Sequence, residues 1–253
     1  SQSISGIVLP KRIVDEAIKL FESNLPSESL LFVFGRVEKR SKKQLLIATE
    51  TLIPEDKDYV FKSESGCEVS YKYIAREFPK LLEKHELVAT WHCHPVHGLS
   101  SIDKHDGHTV MTKVFPNQLT GYYNSGKFVF YQYKEDFEPV PHNVVDTEVY
   151  DRQVRAFTEF AQLQLASAHV AIIGCGGLGS QLAFLLAQKG IGKLTLIDPD
   201  KWDRTSLNRV WIPRWCVGEN KAESIADLLQ WRDIDVGTHP CRVEDLAEER
   251  FED

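Results

Sequence analysis

Apolar positions along the first half of the chain change period several times, and each change marks an element. Ile13, Ala17, Ile18, Leu20 and Phe21 recur at the spacing of one helix face, and the pattern stops at the turn-forming SNLPSES. Two short apolar runs follow, SLLFVFGRV and QLLIATETLI, which read as neighbouring strands. A second amphipathic helix is predicted over residues 69–84, then a strand over ELVATWHCH that ends in a cluster of histidines. SSIDKHDGHTVMTKVF reads as a third helix, and LTGYYNS with KFVFYQY as a strand pair turning at Ser125-Gly126. KEDFEPVPHNVV has two prolines and no period, which places a linker at residues 136–147. Beyond it, YDRQVRAFTEFAQLQLASA is predicted helical. HVAIIGCGGLGSQLAFLLAQKGIGKLTLIDPD then gives strand, glycine turn, helix and strand, a βαβ unit, with a further helix over residues 219–231.

Composition changes this picture little, but it narrows the partners. At 253 residues the chain is long enough for two domains. A net charge of −7 argues against a nucleic-acid or anionic-membrane surface, because both reward clustered Lys and Arg. Cys67, Cys93, Cys175, Cys216 and Cys241 are scattered, with no CxxC pair, so neither a disulfide framework nor a cysteine zinc site is indicated. No apolar run reaches the roughly 18 residues of a membrane span, and the first residues lack a leader pattern, so a cytoplasmic protein is expected.

The first candidate chemistry lies in W-H-C-H-P-V-H-G-L-S-S-I-D. Residues two apart on a strand share a face, so His92 and His94 can reach one metal ion, with Asp103 in the next predicted helix as a third ligand. Three N/O ligands with one open position describe a catalytic zinc. Taken singly, H-x-H is also a packing or surface pair, and S-x-x-D also begins a capping box. Cys93 faces the other side of the strand and is expected in the core.

His92-Cys93-His94-Pro95 followed by Ser100-Ser101-Ile102-Asp103 resembles the JAMM (MPN+) zinc metalloprotease signature. Upstream, E-S-L-L-F-V-F-G resembles the family's E-x-x-G-x-L-x-G, with Glu28 at its Glu, Gly35 at its closing glycine and Leu31 in place of the inner glycine. The resemblance covers about residues 1–135. It implies Glu28 as the proton-transferring base, Ser100 as oxyanion donor with Ser101 competing for that role, and His92, His94 and Asp103 as zinc ligands. It also implies cleavage of peptide or isopeptide bonds after ubiquitin or a ubiquitin-like protein. His97, His105 and His108 are read as supporting or surface residues.

The second candidate chemistry is A-I-I-G-C-G-G-L-G-S, where Gly174, Gly176 and Gly179 fit the G-x-G-x-x-G turn that lets phosphates approach a helix N-terminus. Asp198 ends the next predicted strand, where it can hold ribose hydroxyls. Y-D-R-Q-V, L-I-D-P-D, S-L-N-R and E-N-K-A-E together resemble the ThiF/MoeB adenylyltransferases, which activate ubiquitin-like proteins with ATP and magnesium. That resemblance covers residues 148–253. It implies Asp198 on ribose, Arg209 and Lys221 on the triphosphate, and Asn208 beside Arg209. Arg152 matches an arginine that the family supplies from a partner subunit, which implies a homodimer. The plain alternative is that these cations are solvated and the glycines merely turn the chain.

The two resemblances imply an α/β chain with a JAMM (MPN, cytidine-deaminase-like) mixed α/β domain and a Rossmann-like ThiF half-domain. The half-domain is read as truncated before the family's magnesium aspartate. Fusions of this kind resemble bacterial ubiquitin-like conjugation systems, some of which serve antiviral defence. The expected partners are a ubiquitin-like protein with a C-terminal glycine and a conjugating enzyme. Processing of a sulfur-carrier protein and an inactive scaffold are the alternatives.

Overall fold

The computed structural model describes residues 3–40, 43–94, 114–115, 117–134 and 136–246. The chain divides into two units, Ser1–Val149 and Tyr150–Asp253. Among the described residues no helix is long and apolar enough to cross a membrane.

In the first unit, β1 (Ser3–Pro10) runs straight into α1 (Lys11–Asn24), with Pro10 holding the extended backbone from which the helix starts. There follow β2 (Leu30–Arg40), β3 (Lys43–Leu52), a hairpin of β4 (Tyr59–Ser63) and β5 (Gly66–Val69), α2 (Tyr71–Leu82) and β6 (Glu86–Cys93). The unit ends with β7 (Leu119–Asn124), β8 (Lys127–Tyr133), β9 (Phe137–Val140) and β10 (His142–Val145). All but the hairpin join one mixed sheet in the order β10-β1-β3-β2-β6-β7-β8-β9. The predicted third helix lies outside the described residues except for Val114 and Phe115.

The linker expected at residues 136–147 is corrected by the structure, because β9 and β10 occupy most of it. Only Pro141 separates these strands, yet they stand at opposite ends of the sheet order, so the sheet curls until its two edges adjoin. Edge position is also why the prolines are tolerated. Pro139 pairs with Tyr131 on one side, and its missing N–H interrupts no ladder on the other.

Both faces of the central strands are covered, which explains their continuous apolar runs. On one face Ile13, Ala17 and Phe21 of α1 pack against Leu31, Val33, Ala89 and Trp91. Trp91 is fully buried there, with Phe21, Phe128 and Phe130 ring centroids at 5.8, 5.0 and 5.1 Å. On the other face Tyr73 and Phe78 of α2 pack against Phe32, Phe34 and Leu87. Ser70 caps α2 by accepting the Tyr73 N–H at 3.3 Å.

Register in the middle of this sheet changes by one residue. β2 and β6 pair antiparallel with Phe34 opposite Leu87, but Val33 opposite Ala89 and Leu30 opposite His92, so Val88 is an extra residue in β6. β2 also slips against β3 between Phe34 and Gly35. There the backbones approach so closely that a Cβ on Gly35 would lie 2.0 Å from the Ile47 carbonyl oxygen.

The second unit begins with α3 (Asp151–Phe157) and α4 (Glu159–Ala166), where a single helical stretch was expected. Thr158 breaks it with a φ of +81° and caps α4 by accepting the Ala161 N–H at 3.3 Å. The βαβ unit is present as β11 (His169–Ile173), α5 (Gly177–Lys189) and β12 (Lys193–Ile197). A second crossover through α6 (Lys221–Leu229) leads to β13 (Asp235–His239). The three strands form a parallel sheet in the order β11-β12-β13. Ala183, Ala187, Leu194, Leu196, Ile225 and Leu229 fill its core.

Because the neighbour at Gly35 is backbone and cannot swing aside, Gly35→Ala is expected to destabilise the first unit by about 1–3 kcal/mol. Thermal unfolding of the two proteins side by side measures this, with a fall in midpoint of several degrees as the outcome.

Candidate functional site

Each unit gathers polar side chains at strand ends. In the first, the slip in register decides which residues meet. Leu30 pairs with His92, the Cys93 N–H donates to the Ser29 carbonyl at 3.1 Å, and the next step along both chains sets Glu28 opposite His94. Glu28 Oε1 lies 3.6 Å from His94 Nδ1, and the His92 and His94 ring centroids are 4.7 Å apart. All three side chains are buried, at 6%, 8% and 8% exposure. A buried carboxylate is costly unless partnered, so its place beside the His94 imidazole is a specific arrangement.

Neighbouring strands hold this cluster in place. The His94 N–H donates to the Tyr123 carbonyl at 3.1 Å, and Asn124 Nδ2 donates to the His94 carbonyl at 2.9 Å. The Tyr122 ring centroid stands 5.1 Å from that of His94. Cys93 faces the opposite side, in the core with Trp91, as the period of two requires. The Ser29 N–H donates to its sulfur at 3.3 Å.

Sequence reasoning missed Tyr59, which fixes the start of β2. Its hydroxyl donates to the Leu30 carbonyl and accepts the Leu30 N–H, both at 3.2 Å, and burial pushes its phenol up to about 12, so it stays protonated. The Glu28 N–H donates to Ser63 of the same hairpin at 2.6 Å. No local pattern announces either contact, since the hairpin is distant in sequence.

As metal donors, the imidazoles of His92 and His94 suit zinc, with the Asp103 carboxylate as the expected third ligand. Asp103 and Ser100 lie outside the described residues, as do His97, His105 and His108. Among the described residues no group of three His, Cys, Asp or Glu side chains is arranged to hold a metal.

In the second unit the three glycines of the turn do different work. Gly174 takes a φ of +89°, which lets the chain leave β11. Gly176 precedes α5 with open space where a side chain would stand, so a ligand can approach the helix N-terminus. A Cβ on Gly179 would lie 1.9 Å from the Gly174 carbonyl oxygen, so this glycine sets the close packing of helix on strand.

Asp198 closes the same end of the sheet and is 4% exposed. One carboxylate oxygen accepts the Cys175 N–H at 2.6 Å and the other the Asp200 N–H at 2.8 Å. Each oxygen retains a lone pair for a further donor. Burial, then the Asp198 charge, pushes the Cys175 thiol up to about 12. Arg209 lies with its side-chain carbons against the Gly177 position, donating to the Thr205 carbonyl at 2.8 Å and to Asn208 Oδ1 at 3.2 Å. Lys221 Nζ is paired with Asp200 at 2.9 Å. Asn220, which sequence reasoning quoted but gave no role, ties these segments together through the Asp198 and Asp200 carbonyls at 2.9 and 3.1 Å. Gly174, Gly176, Gly179, Asp198 and Arg209 thus converge, with Lys221 beside them. Arg152 lies exposed on α3, and none of the described contacts brings it to the turn.

Removing the Asp198 carboxylate leaves the Cys175 N–H without its acceptor. Asp198→Ala is expected to cost about 1–3 kcal/mol and to speed exchange of the Cys175 amide, whereas Asp198→Asn retains an acceptor and loses less. Hydrogen exchange read by mass spectrometry, with a thermal melt, tests both.

Comparison with known proteins bears on this second unit. Residues 150–252 match the family model described as ThiF family. The chain is 33% identical over 108 residues to ubiquitin-like modifier-activating enzyme 5 of Aedes aegypti, covering 41% of this chain and 27% of that protein. It is 39% identical over 90 residues to the NEDD8-activating enzyme E1 catalytic subunit of Caenorhabditis elegans, covering 34% and 21%. With adenylyltransferase and sulfurtransferase MOCS3 of Mus musculus the identity is 46% over 70 residues, covering 27% and 15%. A solved structure, the tRNA N6-threonylcarbamoyladenosine dehydratase TcdA of E. coli, is 34% identical over 38% of this chain and 42% of that chain, with a TM-score of 0.37. The chain spans about a quarter of the length of the curated relatives it matches. The glycine turn, the buried aspartate and the sequence match agree, and the chain carries a ThiF family domain over residues 150–252.

Proposed function

We propose that the first unit is a zinc-dependent isopeptidase or peptidase of the JAMM type and the second the nucleotide-binding part of an adenylating domain. Both would act on the glycine C-terminus of a ubiquitin-like protein. The observation that carries the hydrolase reading is the buried Glu28 carboxylate set opposite His94, with His92 on the same face of β6.

In this reading His92, His94 and Asp103 hold zinc, which supplies a Lewis acid for attack on the carbonyl of the scissile bond. Glu28 accepts a proton from the attacking water and returns it to the departing amine, a role its reach beside His94 supports. Ser100 donates to the oxyanion that develops on the carbonyl, with Ser101 as the competing donor.

For the second unit, the names of the curated relatives support activation by adenylation: one is named as a ubiquitin-like modifier-activating enzyme, one as a NEDD8-activating enzyme and one as an adenylyltransferase. The open Gly176 position at the α5 N-terminus suits the phosphates, and Arg209 beside it supplies positive charge. Asp198 has lone pairs left for ribose hydroxyls. Lys221 would have to exchange Asp200 for phosphate, or share the two. Magnesium would accompany ATP, and Arg152 would serve a second copy in a homodimer. We further propose a bacterial conjugation setting, with antiviral defence as its use and a conjugating enzyme as partner.

The name of the Mus musculus relative, adenylyltransferase and sulfurtransferase, favours a second reading in which the modifier is a sulfur carrier. Substrate choice separates the two.

Purified protein is expected to hold about one zinc per chain by elemental analysis, His92→Ala to lose most of it, and Glu28→Ala to keep it while cleavage of a modifier fusion disappears. Cleavage surviving Glu28→Ala would move the base elsewhere, and a panel that includes sulfur-carrier fusions would identify the substrate class.

Saturating Mg-ATP at about 100 times its Kd is expected to stabilise the second unit by roughly 2.7 kcal/mol, visible as a rise in melting temperature that Arg209→Ala diminishes. An unchanged midpoint at millimolar nucleotide would refute ATP binding by this chain.

A further inference from the structure

A groove of about 740 Å³ lies between α6 and β13, away from the glycine turn. Its floor is apolar, with Leu229, Ile234 and Val236, and its rim is acidic, with Glu219, Glu223 and Asp227 at four-residue intervals along α6 and the residues before it. Trp215, 67% exposed, also lines it. No lysine or arginine is among the described residues that line it. The Cys216 thiol is pushed up by burial and then by the Asp227 and Glu219 charges.

β13 is an edge strand, paired only with β12 among the described strands. The Asp235 N–H donates to the Gly192 carbonyl at 3.1 Å, and the His239 carbonyl accepts the Asp198 N–H at 3.2 Å. Odd-numbered residues therefore bond inward, and by the alternation of a parallel ladder Val236 and Thr238 turn their backbone N–H and C=O groups outward. Their side chains, with that of Ile234, face α6 and line the groove.

We propose that this edge and groove form a docking site for an extended, arginine- or lysine-rich segment of another protein, added to β13 as a further strand. An added strand lies about 4.8 Å from β13 and sends alternate side chains over the groove. Long basic side chains fit both its parts: their stems cover Leu229, Ile234 and Val236, and their heads reach Glu219, Glu223 and Asp227. An exposed indole beside that path stacks on a guanidinium. A second copy of this chain is disfavoured as occupant, because edge-to-edge pairing would bring two acidic rows together. The site does not depend on the zinc or ATP readings above, and it uses none of their residues.

The test is fluorescence anisotropy of the full chain with a fluorescein-labelled peptide of alternating threonine and arginine, three arginines long. The charge-swapped peptide with glutamate for arginine and a version N-methylated at alternate residues serve as controls. Binding is expected for the arginine peptide alone, weakening with salt, and Glu223→Lys with Asp227→Lys is expected to reduce affinity about tenfold or more. Both residues are exposed, and a melt of the double variant checks that the fold survives. Hydrogen exchange should show new protection at the Val236 and Thr238 amides. Equal binding of the glutamate or N-methylated peptide, no binding at all, protection confined to other segments, or dimerisation of the chain through β13 in sedimentation would each overturn the proposal.

Discussion

The geometry of the first unit depends on the pairing of β2 with β6 and the single extra residue, Val88, that shifts it. Residues directly opposite in an antiparallel pair share a face, so a shift of one changes which residue of β6 every later residue of β2 meets. Without the bulge, Glu28 would stand opposite Cys93 instead of His94. With it, the carboxylate meets His94, and Ser29 meets Cys93. Burial on both faces of the strand enforces this choice, because the packing of Trp91, Phe21, Phe128 and Phe130 fixes one face and thereby the other.

In the second unit the constraint is the satisfaction of backbone donors at one end of a parallel sheet. Asp198 spends an oxygen on each of two N–H groups, and Asn220 joins the segment that follows β12 to the start of α6. The turn is therefore shaped by the chain's own hydrogen bonds. This arrangement leaves the N-terminus of α5 beside the open position at Gly176.

Legibility in the sequence followed the range of the interactions. The histidines of β6 were readable because period-two alternation is local, and Cys93 went to the core for the same reason. The βαβ unit was readable because the positive φ of Gly174 and the close packing at Gly179 arise within a few residues of each other. The strands β9 and β10 were not. Their prolines look like punctuation, and only a sheet that curls to bring its edges together makes those positions harmless. The break at Thr158 was equally hidden, since a threonine in the left-handed region is held there by its surroundings and by its own cap. The hairpin carrying Tyr59 and Ser63, which anchors the start of β2 beside Glu28, escaped notice because its contacts are long-range.

The amino-acid sequence by itself determined which residues are available and which face each takes within its own element: two imidazoles on one side of a strand, three glycines at a turn, an aspartate at a strand end. Periodicity and steric demand act over a few residues, so these features are written locally. Tertiary structure alone decided who meets whom. The bulge in β6, the closure of the curled sheet through Pro141 and the outward-facing backbone of β13 arise from packing and hydrogen bonding between segments far apart in the chain, and no local pattern encodes them.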